Sequence, residues 1–356
     1  MGSDTDEATP GRVDSAFTTP PALEAGDTVA VVAPSRPPSE PKLSIGRERL
    51  EALGVETTLL PTAQRTDAEE PAPPAERAAE LEDAFRDPTI GGVMAYSGGD
   101  DQLRVLSHLD GDVLAANPTR FFGYSDNDNF RLYLWNRGIV SFGIGLHPDL
   151  TCDPELNAYT ERYLRRALFD DSLGTVEPAD EWTDDWYDFE DPEPREWDEN
   201  PGPTISRGDE APNGEVTGRL WGASFAILKW HLQTDRYLPD PAALDGAILA
   251  LETSEDVPVP REVGYTLRAM GERGLLERFD GVVVGRAQIH SPHIEWEPER
   301  EEYPARLRSV VEREVSRYNP GAVVGFGYDF GHTAPAVPLP LGERTTIRSD
   351  GSLRFE

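Results

Sequence analysis

Cysteine is almost missing from this chain: Cys152 is the only one among 356 residues. A lone thiol excludes an intrachain disulfide and a cysteine-built zinc site. Lysine is nearly as scarce, since Lys42 and Lys229 are the only two and every other basic residue is arginine. No run approaches the roughly 18 consecutive apolar residues that mark a membrane-spanning helix. The acidic, polar residues 1–21 lack the apolar stretch of a secretory signal. The expectation is a soluble, cytoplasmic protein with no membrane partner.

Positive charge is short as well, with 33 Lys plus Arg against 66 Asp plus Glu and a formal net charge of -33. Such a chain repels nucleic acid, which is excluded as a partner. At about 1 M salt the Debye length falls to roughly 3 Å and most self-repulsion disappears. The acid excess together with the near-absence of lysine reads as adaptation to a high-salt cytoplasm. Enough apolar residues are present, 38% with 32 glycines besides, to build a sizeable core. The length suggests roughly two domains of about 150 residues each.

The chain is organised around residues 120–130, Arg-Phe-Phe-Gly-Tyr-Ser-Asp-Asn-Asp-Asn-Phe. Apolar residues run into Gly123-Tyr124-Ser125, and a helical pattern opens behind them, so the stretch reads as strand, tight turn, helix. A serine on such a turn is pushed clear of the strand, toward the first N–H groups of the helix. This is the logic of a nucleophile elbow, with Asn127 where the hydrolase version carries glycine. The alternative is an ordinary turn with Ser125 as helix cap.

Before this stretch, residues 1–20 read as a disordered acidic tail and residues 21–169 as an α/β domain. Strands at 26–35, 55–60 and 90–96 alternate with helices at 45–53 and 75–85, the pattern of a mainly parallel sheet with flanking helices. Functional loops of such sheets lie beyond the strand C-termini, where Gly98-Gly99 and Ser125 both fall. Gly98-Gly99 is either a turn that needs positive φ or a loop whose N–H groups approach a ligand, as an oxyanion hole requires. Residues 170–212 lose periodicity and crowd acids, prolines and tryptophans together, as a connecting loop. Its tryptophans either pin the loop to the body or form a stacking platform.

Residues 213–356 form a second, smaller α/β domain. Its buried-type strands at 247–252 and 322–327 deliver Glu252 and the run Asp329-Phe330-Gly331-His332-Thr333. His332 is the best base candidate among six histidines, though a structural role is open to it. His290 and His293 beside Glu295 have the residue types of metal ligands, but no second cluster completes a site and no metal is expected.

Several strings, taken in order, resemble the LD-carboxypeptidase family of serine peptidases. They are Ala30-Val31-Val32-Ala33-Pro34-Ser35, Tyr96-Ser97-Gly98-Gly99, Gly123-Tyr124-Ser125-Asp126, Gly218-Arg219-Leu220-Trp221-Gly222, Leu251-Glu252-Thr253-Ser254-Glu255 and Asp329-Phe330-Gly331-His332-Thr333-Ala334-Pro335. The nearest likeness is to the microcin C immunity branch. The resemblance implies two α/β domains with a cleft between them, Ser125 as nucleophile, His332 as base and Glu252 as its orienting carboxylate. It further implies an oxyanion hole from the N–H groups of Gly99 and Asp126, and Trp182 or Trp186 stacking on a nucleotide base. The implied substrate is a small peptide or peptidyl-nucleotide, the implied assembly a homodimer, and no cofactor is called for. Asn127, Asp128 and Trp221-Gly222-Ala223 depart from the family's usual residues.

Overall fold

The structure, a computed structural model, describes residues 17–187, 194–208, 211–212, 214–292, 294, 296 and 302–356. Most of the acidic tail, together with His293 and Glu295, therefore lies outside the described residues.

The first half alternates strand and helix. β1 (Thr28–Val32), α1 (Lys42–Leu53), β2 (Glu56–Leu59), α2 (Pro74–Arg86) and β3 (Ile90–Ala95) come first. α3 (Gly111–Ala116), β4 (Arg120–Phe122), α4 (Asp128–Trp135), β5 (Ser141–Gly143), α5 (Pro148–Thr151) and α6 (Ala158–Phe169) follow. β1 is a run of β-branched and small residues buried on both faces, as a central parallel strand must be. α1 stops at Gly54, whose φ of +109° supplies the left-handed cap.

Within residues 170–212 the described chain forms four short strands: β6 (Thr175–Val176), β7 (Glu181–Trp182), β8 (Asp198–Glu199) and β9 (Thr204–Arg207). The second half then runs β10 (Val216–Ser224), α7 (Phe225–Thr234), β11 (Ala247–Glu252), α8 (Pro260–Glu272), β12 (Phe279–Gly285), α9 (Tyr303–Tyr318) and β13 (Val323–Tyr328). β14 (Leu339–Leu341), β15 (Arg344–Ile347) and β16 (Leu353–Phe355) close the chain. α8 buries Val263, Leu267 and Met270, and α9 buries Leu307, Val311 and Val315, the three-to-four spacing of an amphipathic helix.

Two sheets result. The first has the order β14-β5-β4-β3-β1-β2 and the second β6-β16-β15-β10-β11-β12-β13-β9. β1 to β5 are mutually parallel, as are β10 to β13, and the other strands of both sheets pair antiparallel. The fold is thus mixed α/β in two domains, as expected. The last segment crosses back, since β14 joins the edge of the first sheet beside β5. One apolar cluster runs through both units, from Val29 and Phe142 to Leu249 and Val323. α4 ties the two units together: Trp135 Nε1 donates to Leu220 O at 3.0 Å, and Asp128 accepts the Ser224 N–H at 2.7 Å.

Candidate active site

Ser125 follows β4 after two residues. Its φ is +60°, a left-handed value that costs a non-glycine residue about 1–2 kcal/mol. Tyr124 before it is extended, and a 3-10 turn from Ser125 to Asn127 leads into α4. The surroundings hold this geometry in place. Asn127 is fully buried, and its Nδ2 donates to Ser97 O at 2.8 Å and Tyr124 O at 3.1 Å. Its Oδ1 accepts from Gln102 Nε2 at 2.8 Å, and Gln102 Oε1 accepts the Phe130 N–H at 3.1 Å. The residue that departs from the elbow pattern is the one that ties the elbow to the 97–102 loop.

Gly98 belongs to that loop. A Cβ there would stand 2.7 Å from Ser125 Cβ and 2.8 Å from its Oγ, so any side chain would occupy the space beside the hydroxyl. The Asp126 backbone nitrogen lies 3.4 Å from the same point. Gly99 packs past it against Ser35 and Arg36. Asp126 turns its side chain inward, where Oδ2 accepts the N–H groups of Asp101 at 3.1 Å and Gln102 at 2.9 Å. Burial pushes this carboxyl up to about 6 against the pull of those N–H groups.

Glu252 ends β11 and His332 sits four residues beyond β13, both at the C-terminal edge of the second sheet. His332 Nδ1 is 2.9 Å from Glu252 Oε2, which also accepts the Ser254 N–H at 2.8 Å. Gly331, at φ +104°, makes this approach possible: a Cβ on it would lie 2.8 Å from Glu252 Oε2. Ser125, Glu252, Tyr124, Phe330 and Gly331 line one small cavity, and the Tyr124 ring leans on His332 at 5.2 Å. Among the described residues no hydrogen bond joins Ser125 to His332, whose Nε2 instead lies 2.9 Å from Glu255 Oε2. Burial disfavours the charged ring, yet Glu252 and Glu255 together outweigh it and hold His332 well above the usual histidine range.

Several supports escape a reading of the sequence. His147 takes the Asp149 N–H on Nδ1 at 3.2 Å, which leaves its Nε2–H to donate to Gly331 O at 3.0 Å. Asp329 accepts from Arg286 Nε at 2.9 Å, Asn200 Nδ2 at 3.1 Å and the Ala179 N–H at 2.9 Å, anchoring the start of the histidine loop. Lys42 is buried with Nζ donating to Ser97 Oγ at 3.1 Å, and burial pushes its ammonium down to about 7. Scarcity was the only sequence signal for it, as one of two lysines.

The two candidate tryptophans part company. Trp182 lies under the Arg286 guanidinium at 5.2 Å, part of the scaffold around Asp329. Trp186 stacks on Tyr187 at 4.9 Å with the rings nearly parallel. Thr183 and Ala334 exchange backbone hydrogen bonds of 2.8 and 2.9 Å, so the strap carrying these aromatics is zipped to the histidine loop. Burial, followed by the charge of Glu255, raises the Tyr187 hydroxyl. Tyr187 is the loop aromatic that sequence reading passed over.

Comparison with known proteins agrees with this architecture. The family model for the LD-carboxypeptidase N-terminal domain matches residues 29–143, and that for the C-terminal domain matches residues 217–347. A probable murein peptide carboxypeptidase of Bacillus subtilis is 25% identical, over 93% of this chain and 91% of its own. The microcin C7 self-immunity protein MccF of Escherichia coli is 23% identical, over 92% of both chains. Among solved structures, an MccF-like protein from Bacillus anthracis superposes with a TM-score of 0.80 at 23% identity, covering 95% of this chain and 99% of that one. An MccF-like protein from Streptococcus pneumoniae, solved in complex with AMP, gives 0.77 at 22%, covering 93% and 99%. The fold and these relatives define a hydrolase of the serine peptidase type. Within that class, the chain belongs to the LD-carboxypeptidase family, with likeness to its MccF-like members.

Proposed function

We propose that the protein hydrolyses an amide or phosphoramidate-type bond in a peptidyl-nucleotide or aminoacyl-nucleotide analogue, through Ser125, His332 and Glu252. The observation that carries this reading is a serine at φ +60° sharing a cavity with a carboxylate 2.9 Å from a histidine ring nitrogen. Serine is a weak nucleophile until a base takes its proton, and the base needs a carboxylate to fix its tautomer and stabilise the imidazolium. In this scheme His332 accepts the Ser125 proton and Oγ attacks the carbonyl. The N–H groups of Gly99 and Asp126 hold the oxyanion, His332 returns the proton to the leaving group, and water then hydrolyses the acyl-enzyme by the same base. Trp186 with Tyr187 offers a flat face for a base.

The nucleotide assignment draws on relatives solved with AMP, glutamyl sulfamoyl guanosine and aspartyl sulfamoyl adenosine. A second reading, an LD-carboxypeptidase acting on a cell-wall-type peptide, is favoured by the murein peptide relative. An assay in molar salt against an aminoacyl sulfamoyl adenosine and an L,D-linked tetrapeptide separates them. Cleavage of the nucleoside compound alone supports the first reading, and cleavage of the peptide alone replaces it with the second. Ser125→Ala is expected to fold normally and lose at least about 10³-fold in kcat; retention of several per cent of activity would sink the assignment of the nucleophile.

A further inference from the structure

The strap that carries Trp186 and Tyr187 is preceded by Asp184 and Asp185, and these meet His290 from the loop after β12. Asp184 Oδ1 lies 3.4 Å and Asp185 Oδ1 3.3 Å from His290 Nδ1, and one ligand atom from each of the three residues lies within 4.8 Å of the others. Each carboxylate has its other oxygen engaged. Asp184 Oδ2 accepts the N–H groups of Ile289 at 3.1 Å and His290 at 3.3 Å, and Asp185 Oδ2 accepts the Glu196 N–H at 2.9 Å. Hydrogen bonds to the outer oxygen are how proteins aim a metal-binding carboxylate. Gln288 braces the same turn, its Nε2 donating to Asp184 O at 2.5 Å and His290 O at 2.7 Å.

The spacing separates this cluster from an ordinary ion pair. A charge-assisted N–H···O bond closes to about 2.7–2.9 Å, and His332 with Glu252 does so at 2.9 Å. His290 Nδ1 makes no hydrogen bond among the described residues, and its two carboxylate contacts stand about half an ångström longer. Ligands on a tetrahedral ion with bonds of about 2.0–2.1 Å are roughly 3.3–3.4 Å apart, which is the spacing of His290 Nδ1 from each of the two aspartate oxygens. Carboxylate and imidazole donors in one set suit a borderline divalent ion of the zinc kind.

We propose that Asp184, Asp185 and His290 bind a divalent transition-metal cation that fastens the aromatic strap to the second sheet. The ligands come from segments about a hundred residues apart, so the sequence, in which His290 has only His293 and Glu295 for company, does not display the set. The proposal departs from the expectation that no metal site is completed, and it stands independently of the catalytic assignment.

The test uses untagged full-length protein, stripped by chelator and titrated with Zn²⁺ in roughly molar sodium nitrate, which reduces the Debye length to about 3 Å and silences the acidic surface. The expected result is one equivalent bound with a rise in thermal midpoint, retained in Ser125→Ala. His290→Ala and Asp185→Asn, both at partly exposed positions, should each weaken binding at least about tenfold and abolish the rise. Absence of binding, equal binding in His290→Ala, or Mg²⁺ binding as tightly as Zn²⁺ would overturn the proposal.

Discussion

His332 faces a carboxylate with each ring nitrogen, Glu252 on Nδ1 and Glu255 on Nε2, both at 2.9 Å. The first contact is what a base needs; the second stabilises the imidazolium, which cannot accept a proton from Ser125. With His332 held well above its ordinary value, kcat/KM should climb as pH rises through that raised pKa. Glu255→Gln removes one of the two carboxylates and should move this limb toward about 6.5, the unperturbed histidine value, raising kcat/KM at pH 6 relative to the parent. Glu252→Gln should instead lose orders of magnitude at every pH, because the tautomer is no longer fixed. Coincident pH profiles for Glu255→Gln and the parent would show that the Nε2 contact has no bearing on the reaction. For stability the sign is opposite: a raised histidine contributes fully below about pH 6.5, and the contribution is lost as pH rises through the folded value. Ser125, Glu252 and His332 could be read from local strings as candidates. The hold of Glu255 on Nε2 could not, because it depends on how the 252–257 loop bends, with Ser254 and Val257 at positive φ.

At the scale of elements, α4 carries the elbow on one end and the tie to the second sheet along its side. Asp128 pairs with Arg131 at 2.6 Å and accepts the Ser224 N–H at 2.7 Å, while Arg131 donates to Leu339 O at 2.6 Å. Both side chains are buried, and removing one partner of a buried pair costs about 3–5 kcal/mol because the other charge is stranded. Asp128→Asn should therefore lower unfolding free energy by about 3 kcal/mol in urea titrations at fixed molar salt, with Asp128→Asn/Arg131→Met recovering part of the loss. A loss under about 1 kcal/mol, the size of a surface pair, would mean that the two sheets do not rely on this tie. The same residue shows where sequence reading stops. The central strands and the long helices were legible because burial imposes uninterrupted apolar runs on the former and three-to-four spacing on the latter. Asp128 registered only as a departure from family pattern, since its partners are 96 and, through Arg131, 208 residues away. The short strands β6 to β9 carry no alternation, and the pairing of β6 with β16, of β9 with β13 and of β7 with β8 is set by tertiary contact. β14 gives no local hint that it crosses to the first sheet.

For the whole molecule the deciding quantity is the net charge of -33. Arginines offset some of it locally, in helical pairs such as Arg165–Glu161 at 2.8 Å and Arg308–Glu312 at 2.9 Å. Exposed pairs of this kind are worth about 0.3–0.5 kcal/mol each, and salt weakens them. Acids outnumber bases two to one, so one-to-one pairing leaves at least half of the carboxylates without a base of their own, and their mutual repulsion opposes the compact state. Screening therefore acts on two terms of opposite sign, and the unpaired acids are the larger. Between about 0.1 M and 1 M salt the Debye length falls from roughly 10 Å to 3 Å, which removes repulsion between neighbouring surface carboxylates but leaves buried pairs such as Asp128–Arg131 largely intact. The thermal midpoint should rise steadily over this range of sodium chloride, with sodium nitrate at equal ionic strength giving a similar slope if screening is the cause. A midpoint that stays flat or falls would show that the surface pairs dominate, and the excess of acid with so little lysine would then need an origin other than life in concentrated salt.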